Sequence, residues 1–351
     1  MKFSSRLPHG IQKNELAELR GAKREILDLT ESNPTHAGIV YPGHFPDYEP
    51  EPFGLLSARE TIAREFGAPV DRVVLTASTS EAYSWLFKLF CDPGDEVLVP
   101  RPSYPLFEYL AALESVTVRH YSLFYDHGWF IDFHTLRKAI DERTRAIVLV
   151  NPNNPTGHFL KRHELEELVS FGLPIISDEV FRAYLLDPAP DSVRTLYGID
   201  DALVFTLNGL SKTVGLPQMK LAWMISSGPA TEALERLELI ADTYLSVGSP
   251  VQLALPELLA LREPVQRQIR ERTRGNLDFL RGSELRVLNV EGGWYAIVVH
   301  DENAAVGLLR DHDVLVQPGY FYDFEQSGYI VVSLLTPPEV FREGIARLLR
   351  G

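Results

Sequence analysis

The chain has a single cysteine, Cys91. One thiol cannot close an intrachain disulfide, so a cystine-stapled scaffold is excluded and a reducing compartment is expected. Long apolar runs are missing too. Stretches such as Ile147-Val148-Leu149-Val150 are far too short to span a bilayer. No apolar core follows residues 1–6, so no signal peptide is expected and a cytoplasmic protein is. Positive charge is scarce: 34 Lys and Arg stand against 48 Asp and Glu, for a formal net charge of −14. Such a surface repels phosphate backbones and anionic lipids, so neither nucleic acid nor a membrane is an expected partner. The ten histidines are scattered, and no H-E-x-x-H or paired Cys/His spacing supports a metal centre. No G-x-G-x-x-G follows a strand-like run, which removes support for a nicotinamide oxidoreductase. Repeats and low-complexity tracts are absent as well.

What is present is ordinary globular composition over 351 residues, 45% hydrophobic and 23% charged. A chain of this length buries enough surface for one large domain and a smaller one. Short β-branched runs alternate with helical stretches. Strands are expected at 72–76, 96–99, 116–119, 146–150, 173–177, 202–206 and 221–225. A helix is expected at 80–90, where Ala82, Trp85, Leu86 and Leu89 recur at three- and four-residue spacing. Near-continuous apolar strands between helices imply an α/β fold, a mostly parallel central sheet with helices on both faces. The last hundred residues differ. Helices at 264–280 and 338–350 flank strands at 287–290, 295–299, 314–316 and 329–333, a smaller α+β domain. The expected division is 45–262 for the large domain, with 1–44 as an arm completing a small domain of 263–351.

Ligands of such sheets sit beyond the carboxyl ends of the strands. After 72–76 comes Ala77-Ser78-Thr79-Ser80, hydroxyl residues opening a helix, which is a plain N-cap or a phosphate site. After 146–150 comes Asn151-Pro152-Asn153-Asn154-Pro155-Thr156-Gly157, the most specific run in the chain. Its prolines stiffen the backbone and keep it out of the sheet, leaving an amide at a rigid position. After 173–177 comes Asp178, a helix cap or a buried carboxylate in need of a partner. After 202–206 comes Asn208-Gly209-Leu210-Ser211-Lys212. Phosphate donors, an amide, a carboxylate and a lysine at one sheet edge fit pyridoxal 5′-phosphate. That cofactor needs a lysine for its imine linkage and an acid to keep its ring nitrogen protonated.

These motifs, with Pro93-Gly94-Asp95, Pro102-Ser103-Tyr104-Pro105 and Val316-Gln317-Pro318-Gly319, resemble the class I/II aminotransferases among the fold-type-I pyridoxal-phosphate enzymes. The resemblance runs from Leu29-Thr30-Glu31-Ser32-Asn33-Pro34 to the last helix. It implies that Lys212 carries the cofactor and shuttles the substrate proton, and that Asp178 pairs with the ring nitrogen. It implies that Asn154 bonds the ring hydroxyl, that Tyr104 stacks on the ring, and that Ser78, Thr79, Ser80 and Ser211 hold the phosphate. Tyr48 would reach the phosphate of a neighbouring subunit, so a homodimer with shared sites is implied. The implied reaction is ping-pong transfer of an amino group from an amino acid or amine to a 2-oxo acid.

The chain departs from the family pattern in four places. Phe181 replaces a tyrosine that would bond the ring hydroxyl. Lys220 replaces a phosphate-binding arginine, keeping the charge but not the bidentate fork. Ser78 replaces a glycine. Val331 stands where the family has the arginine that grips the substrate α-carboxylate. Either another arginine, Arg182 or Arg101, has taken that role, or the donor lacks or presents its carboxylate differently. Gly292-Gly293-Trp294-Tyr295, Phe53 and Tyr320-Phe321-Tyr322 are candidates for an aromatic pocket lining. A lyase or decarboxylase on the same scaffold stays open, since one carbanion serves all these reactions. So does a cofactor-binding regulatory protein without turnover.

Overall fold

The computed structural model describes residues 2–7, 14–22, 27, 29–30, 32–43 and 46–350. Glu31 of the motif at 29–34 lies outside them, as do parts of the expected arm at 1, 8–13, 23–26, 28 and 44, and residue 45 of the expected large domain.

Among the described residues eleven strands form two sheets. The strands are β1 (Val73–Thr76), β2 (Glu96–Arg101), β3 (Thr117–Tyr125), β4 (Trp129–Ile131), β5 (Thr144–Val150), β6 (Ile175–Asp178), β7 (Val204–Gly209), β8 (Ala222–Ser227), β9 (Tyr295–Val299), β10 (Gln317–Pro318) and β11 (Tyr329–Ser333). The larger sheet runs β1-β8-β7-β6-β5-β2-β3-β4. Its five central strands, β7 to β3 in that order, are mutually parallel. β8, β1 and β4 join antiparallel to their neighbours.

Side-chain alternation divides each central strand between two cores. In β5, Ala146, Val148 and Val150 enter one core with the helix Thr79–Phe90. Ile147 and Leu149 enter the other with Leu165 and Leu168 of the helix Arg162–Ser170. The helix Thr79–Phe90 forms where expected. Ser78 caps it by accepting from the Glu81 N–H at 3.1 Å, and seven of its residues, Trp85 and Leu86 among them, are buried. A buried side chain of the size of Leu86 or Phe87 stabilises the fold by roughly 1.5–3 kcal/mol.

The smaller sheet, β10-β11-β9, is antiparallel. One face, with Ala296, Val298, Ile330 and Val332, packs under the helices Arg262–Arg281 and Pro338–Leu348. The other face, with Ile297 and Val331, joins the core of the large sheet, so the two sheets share packing. Two expected strands do not form. The segment 287–290 makes only the bridge Val287–Val298, with the Leu288 N–H on the Ile297 carbonyl. The segment 314–316 stays outside β10 because the Val314 N–H caps the helix Ala304–His312 through the Leu308 carbonyl.

Candidate active site

Strand register brings the motifs together. Val150, Asp178 and Leu207 lie in one row across β5, β6 and β7, so the segments that follow leave the sheet side by side. On β1, Thr76 pairs with Ala222 of β8, and Ala222 also pairs with Gly209 of β7. The helix start at Thr79, the segment around Lys220 and the pair Ser211–Lys212 therefore meet. Gly209 is needed there for space: a Cβ on it would sit 2.9 Å from the Ala222 Cβ.

Nine of the ten expected site residues line one cavity of about 250 Å³: Ser78, Thr79, Ser80, Tyr104, Asn154, Asp178, Ser211, Lys212 and Lys220. Tyr48 is the exception. It is 40% exposed, lines a separate small pocket with Trp85 and Gln252, and is held through its backbone by Asn33 and Thr35.

The asparagines of the proline-rich run have separate tasks. Asn151 spends its amide on the Val193 carbonyl and the Leu160 N–H. Asn153 donates to the Pro102 carbonyl and Thr156 Oγ1 and accepts from Ser103 Oγ, which ties this loop to the one carrying Tyr104. Asn154 is left to the cavity, and its buried Oδ1 has no partner. A buried amide without a partner is costly, and a ligand hydroxyl at that position would satisfy it.

Asp178 is buried, and burial raises its carboxyl pKa to about 6. Three groups oppose the shift: the Val180 N–H at 3.1 Å, the Tyr83 hydroxyl at 3.2 Å and the ammonium of Lys212. Burial lowers the pKa of Lys212 despite the attraction of Asp178. Its Nζ stands over the rings of Trp294 and Phe181, 5.2 and 5.8 Å from their centroids. The turn carrying Lys212 is fixed from three sides. Asn208 Oδ1 accepts from Thr213 Oγ1 and the Gly209 N–H, Gln266 donates to the Thr213 carbonyl, and the Tyr184 hydroxyl donates to the Lys212 carbonyl.

The first-turn N–H groups of the helix at Thr79 have no carbonyl partners within it, and apart from that of Glu81, which Ser78 Oγ takes, they face no side-chain cap. With the hydroxyls of Ser78, Thr79, Ser80 and Ser211 and the charge of Lys220 they make an anion-binding corner. Another part of the wall is mostly apolar and aromatic. Val180, Phe181 and Tyr295 line it, and Trp294 packs edge-on against Phe181 and Tyr184. Of the other expected aromatics, Phe53 packs against the large-sheet core and Tyr320 and Phe321 are exposed. Neither candidate arginine lines the cavity. Arg101 pairs with Glu325, and Arg182 lies 4.4 Å over the Phe66 ring with Glu179 at 3.9 Å. Tyr83 and Tyr184 were not foreseen from the sequence, and Asn208 stood there only as the start of the run that leads to Lys212. Only a hydroxyl inside an otherwise apolar helix stripe marks Tyr83.

The sequence model of aminotransferase class I and II matches residues 49–348. The chain belongs to this family. This aminotransferase is 28% identical to the glutamate–pyruvate aminotransferase AlaA of Haemophilus influenzae over 326 residues, 85% of this chain and 80% of that one. It is 34% identical to AlaA of Escherichia coli K12 over 220 residues, which span 59% of this chain and 54% of the relative. Among solved structures, an alanine aminotransferase from Pyrococcus furiosus superposes with a TM-score of 0.78 at 26% identity, covering 86% of this chain and 83% of that one. An Escherichia coli aminotransferase superposes with a TM-score of 0.75 at 25% identity over 95% and 92% of the two chains. The aminotransferase fold, with its large mostly parallel sheet and small antiparallel one, is thereby shared, as the sequence led one to expect.

Proposed function

We propose that this aminotransferase uses pyridoxal 5′-phosphate, held in the cavity between Ser78 and Lys212, to move an amino group between an amine or amino acid and a carbonyl acceptor, a 2-oxo acid in the family's usual case. The observation that carries the reading is the convergence of a lysine of lowered pKa, a buried carboxylate and an unpartnered asparagine amide beside an anion-binding corner.

The residues present fit the cofactor. Ser78, Thr79, Ser80, Ser211 and Lys220 would hold its phosphate, Asn154 its ring hydroxyl, and Tyr104 one face of its ring. Asp178, ionised, would hold the proton of the ring nitrogen. When bound, that ring supplies an electron sink for the pair left by a departing proton. Lys212 Nζ would anchor the cofactor and would also take the proton from the substrate carbon bearing the nitrogen. The lowering of its pKa by burial suits the base role, because only the neutral amine accepts that proton. Phe181 brings no hydroxyl, so Asn154 alone would serve the ring hydroxyl.

The exposed Tyr48 supports a homodimer in which it completes the partner's phosphate corner. The division into 45–262 and 1–44 with 263–351, and a cytoplasmic location, belong to the same reading. No described helix is long and apolar enough to cross a membrane.

The experiment is to load the protein with pyridoxal phosphate, reduce it with borohydride and map the adduct. We expect it on Lys212. We expect the Lys212→Ala protein to carry none and to lose amino transfer by about a thousandfold or more. An adduct on another lysine, with transfer intact in Lys212→Ala, would remove the assignment.

A further inference from the structure

The charges around the cavity divide unevenly. Among the described residues its only cationic lining groups are Lys212 and Lys220. Lys212 stands beside Asp178 and is the anchoring base, and Lys220 belongs to the phosphate corner with Ser211. Another part of its wall is Val180, Phe181 and Tyr295. Strand register shows what backs it. Ser333 pairs with Tyr295 and Val331 with Ile297, so Val331, Ile297 and Tyr295 share one face of the small sheet. Val331 is 1% exposed and Ile297 2%. The arginines nearest in sequence to the lining residues are engaged elsewhere, Arg101 by Glu325 and Arg182 by Phe66 and Glu179.

A substrate carboxylate carried against this wall would leave water and meet no cation among this chain's described residues, a costly exchange for an ionised group. An alkyl or aryl substituent in the same place gains by burial. Resting on the reading above, we infer that the preferred donor is a primary amine with an apolar or aromatic substituent and no carboxylate on the carbon bearing the nitrogen. Both halves of the exchange use one cavity, so the acceptor is an aldehyde or ketone with the same restriction. Overall, the donor's C–N bond breaks and one forms at the acceptor's carbonyl carbon. The donor carbon gives up two electrons, which the acceptor carbon gains. The donor takes its carbonyl oxygen from water, and the acceptor's leaves as water. The proton lost by the donor carbon goes to Lys212 Nζ.

The test uses the cofactor-loaded protein in single-turnover half-reactions with matched pairs that differ only in the carboxylate: 2-phenylethylamine and phenylalanine, tyramine and tyrosine, isoamylamine and leucine. Binding of 3-phenylpropionate, a carboxylate without an amine, is followed by calorimetry as a readout independent of turnover. The expected result is that the amine reacts roughly tenfold or more faster in at least one pair, with no pair reversed, and that 3-phenylpropionate fails to saturate below about 10 mM. An amino acid favoured in any pair, 3-phenylpropionate saturating below about 1 mM, or no reaction with any of these compounds overturns the inference. Loss of the borohydride-fixed adduct on Lys212 overturns the aminotransferase reading itself, and the inference with it. An adduct with amino acids preferred overturns the inference alone. Val331→Arg should raise the rate with phenylalanine relative to 2-phenylethylamine. Should that variant not fold, the calorimetry on the unaltered protein still decides.

Discussion

The hydroxyl of Tyr83 donates to Asp178 Oδ2 at 3.2 Å in the core of the large sheet. Both residues are buried, Tyr83 at 1% and Asp178 at 7% exposure. The bond links the helix that opens the phosphate corner to the carboxylate assigned to the ring nitrogen. It favours the ionised form of Asp178 against a burial that disfavours it. Burial and the neighbouring carboxylate in turn push the Tyr83 phenol well above its ordinary range, so it stays a donor throughout the working pH.

Tyr83→Phe removes that donor and leaves the ring in place. Asp178 then protonates more readily. Cofactor affinity should fall about tenfold, the worth of one hydrogen bond to a charged acceptor. The loss should widen as pH falls from about 8 towards 6, where the carboxylate of the variant is already neutralised. Fluorescence titration of the apoprotein with pyridoxal phosphate at several pH values measures this. A loss that is the same at every pH would mean that Tyr83 only packs.

Asp178→Asn separates the cost of the charge from its use. The folded pKa of Asp178 is raised from 3.8 to about 6. Its contribution to stability is therefore fully present below the unfolded value and lost as pH rises through about 6. Above that, the apoprotein carries a buried charge that the unfolded chain does not have to bury. The variant without cofactor should be more stable than the parent at pH 8, by on the order of 2–3 kcal/mol. The difference should vanish near pH 4. It should also bind the cofactor far more weakly. Thermal unfolding of both apoproteins across that range gives the answer, and a parent more stable at pH 8 would contradict it.

The sequence made the fold legible, and eight of the nine candidates that line the cavity stand at or shortly after the carboxyl end of a strand, where a run of apolar residues stops and polar chemistry begins; the ninth, Lys220, comes just before β8. The breaks at Asn151, Asp178 and Asn208 follow apolar runs that the register of β5, β6 and β7 sets side by side. Two kinds of feature stayed hidden. Tyr83 and Gln266 act through contacts between elements distant in the chain, 95 residues apart in the case of Tyr83 and Asp178. Extended segments such as 287–290 and 314–316 carry strand-like composition, but their N–H groups are claimed by a single bridge or by a helix end. Composition does not record which partner wins.

Lys161 and Glu291 form a buried ion pair at 2.6 Å, both under a tenth exposed. Lys161 Nζ also donates to the Phe159 carbonyl, and Glu291 accepts from the Phe159 N–H. The pair binds the loop after Asn154 to the segment that carries Trp294 and Tyr295. Glu291→Ala leaves a buried ammonium without its partner and should cost about 3–5 kcal/mol. Lys161→Met with Glu291→Leu removes both charges and should recover most of that. Urea unfolding of the three proteins checks the order. A double variant no better than Glu291→Ala would place the cost in packing instead.

Gly157 closes the proline-rich run at φ +71°, where a Cβ would come within 2.4 Å of Val290 Cγ2 and 2.6 Å of the Gly292 carbonyl oxygen. Two separate costs meet there: a left-handed backbone and a collision with the segment leading to Trp294. Gly94 has only the first, at φ +87° with nothing within 4 Å. Gly94→Ala should therefore cost about 1 kcal/mol, and Gly157→Ala about 3 kcal/mol or more, because its neighbours are backbone and a packed valine. The collision also pushes on the loop that aims Asn154, three residues earlier in the chain. Gly157→Ala should thus weaken cofactor binding beyond its effect on unfolding, while Gly94→Ala leaves binding unchanged. Equal costs for the two substitutions would show that the 290–292 segment yields, and that the seam between the two sheets is softer than its contacts suggest.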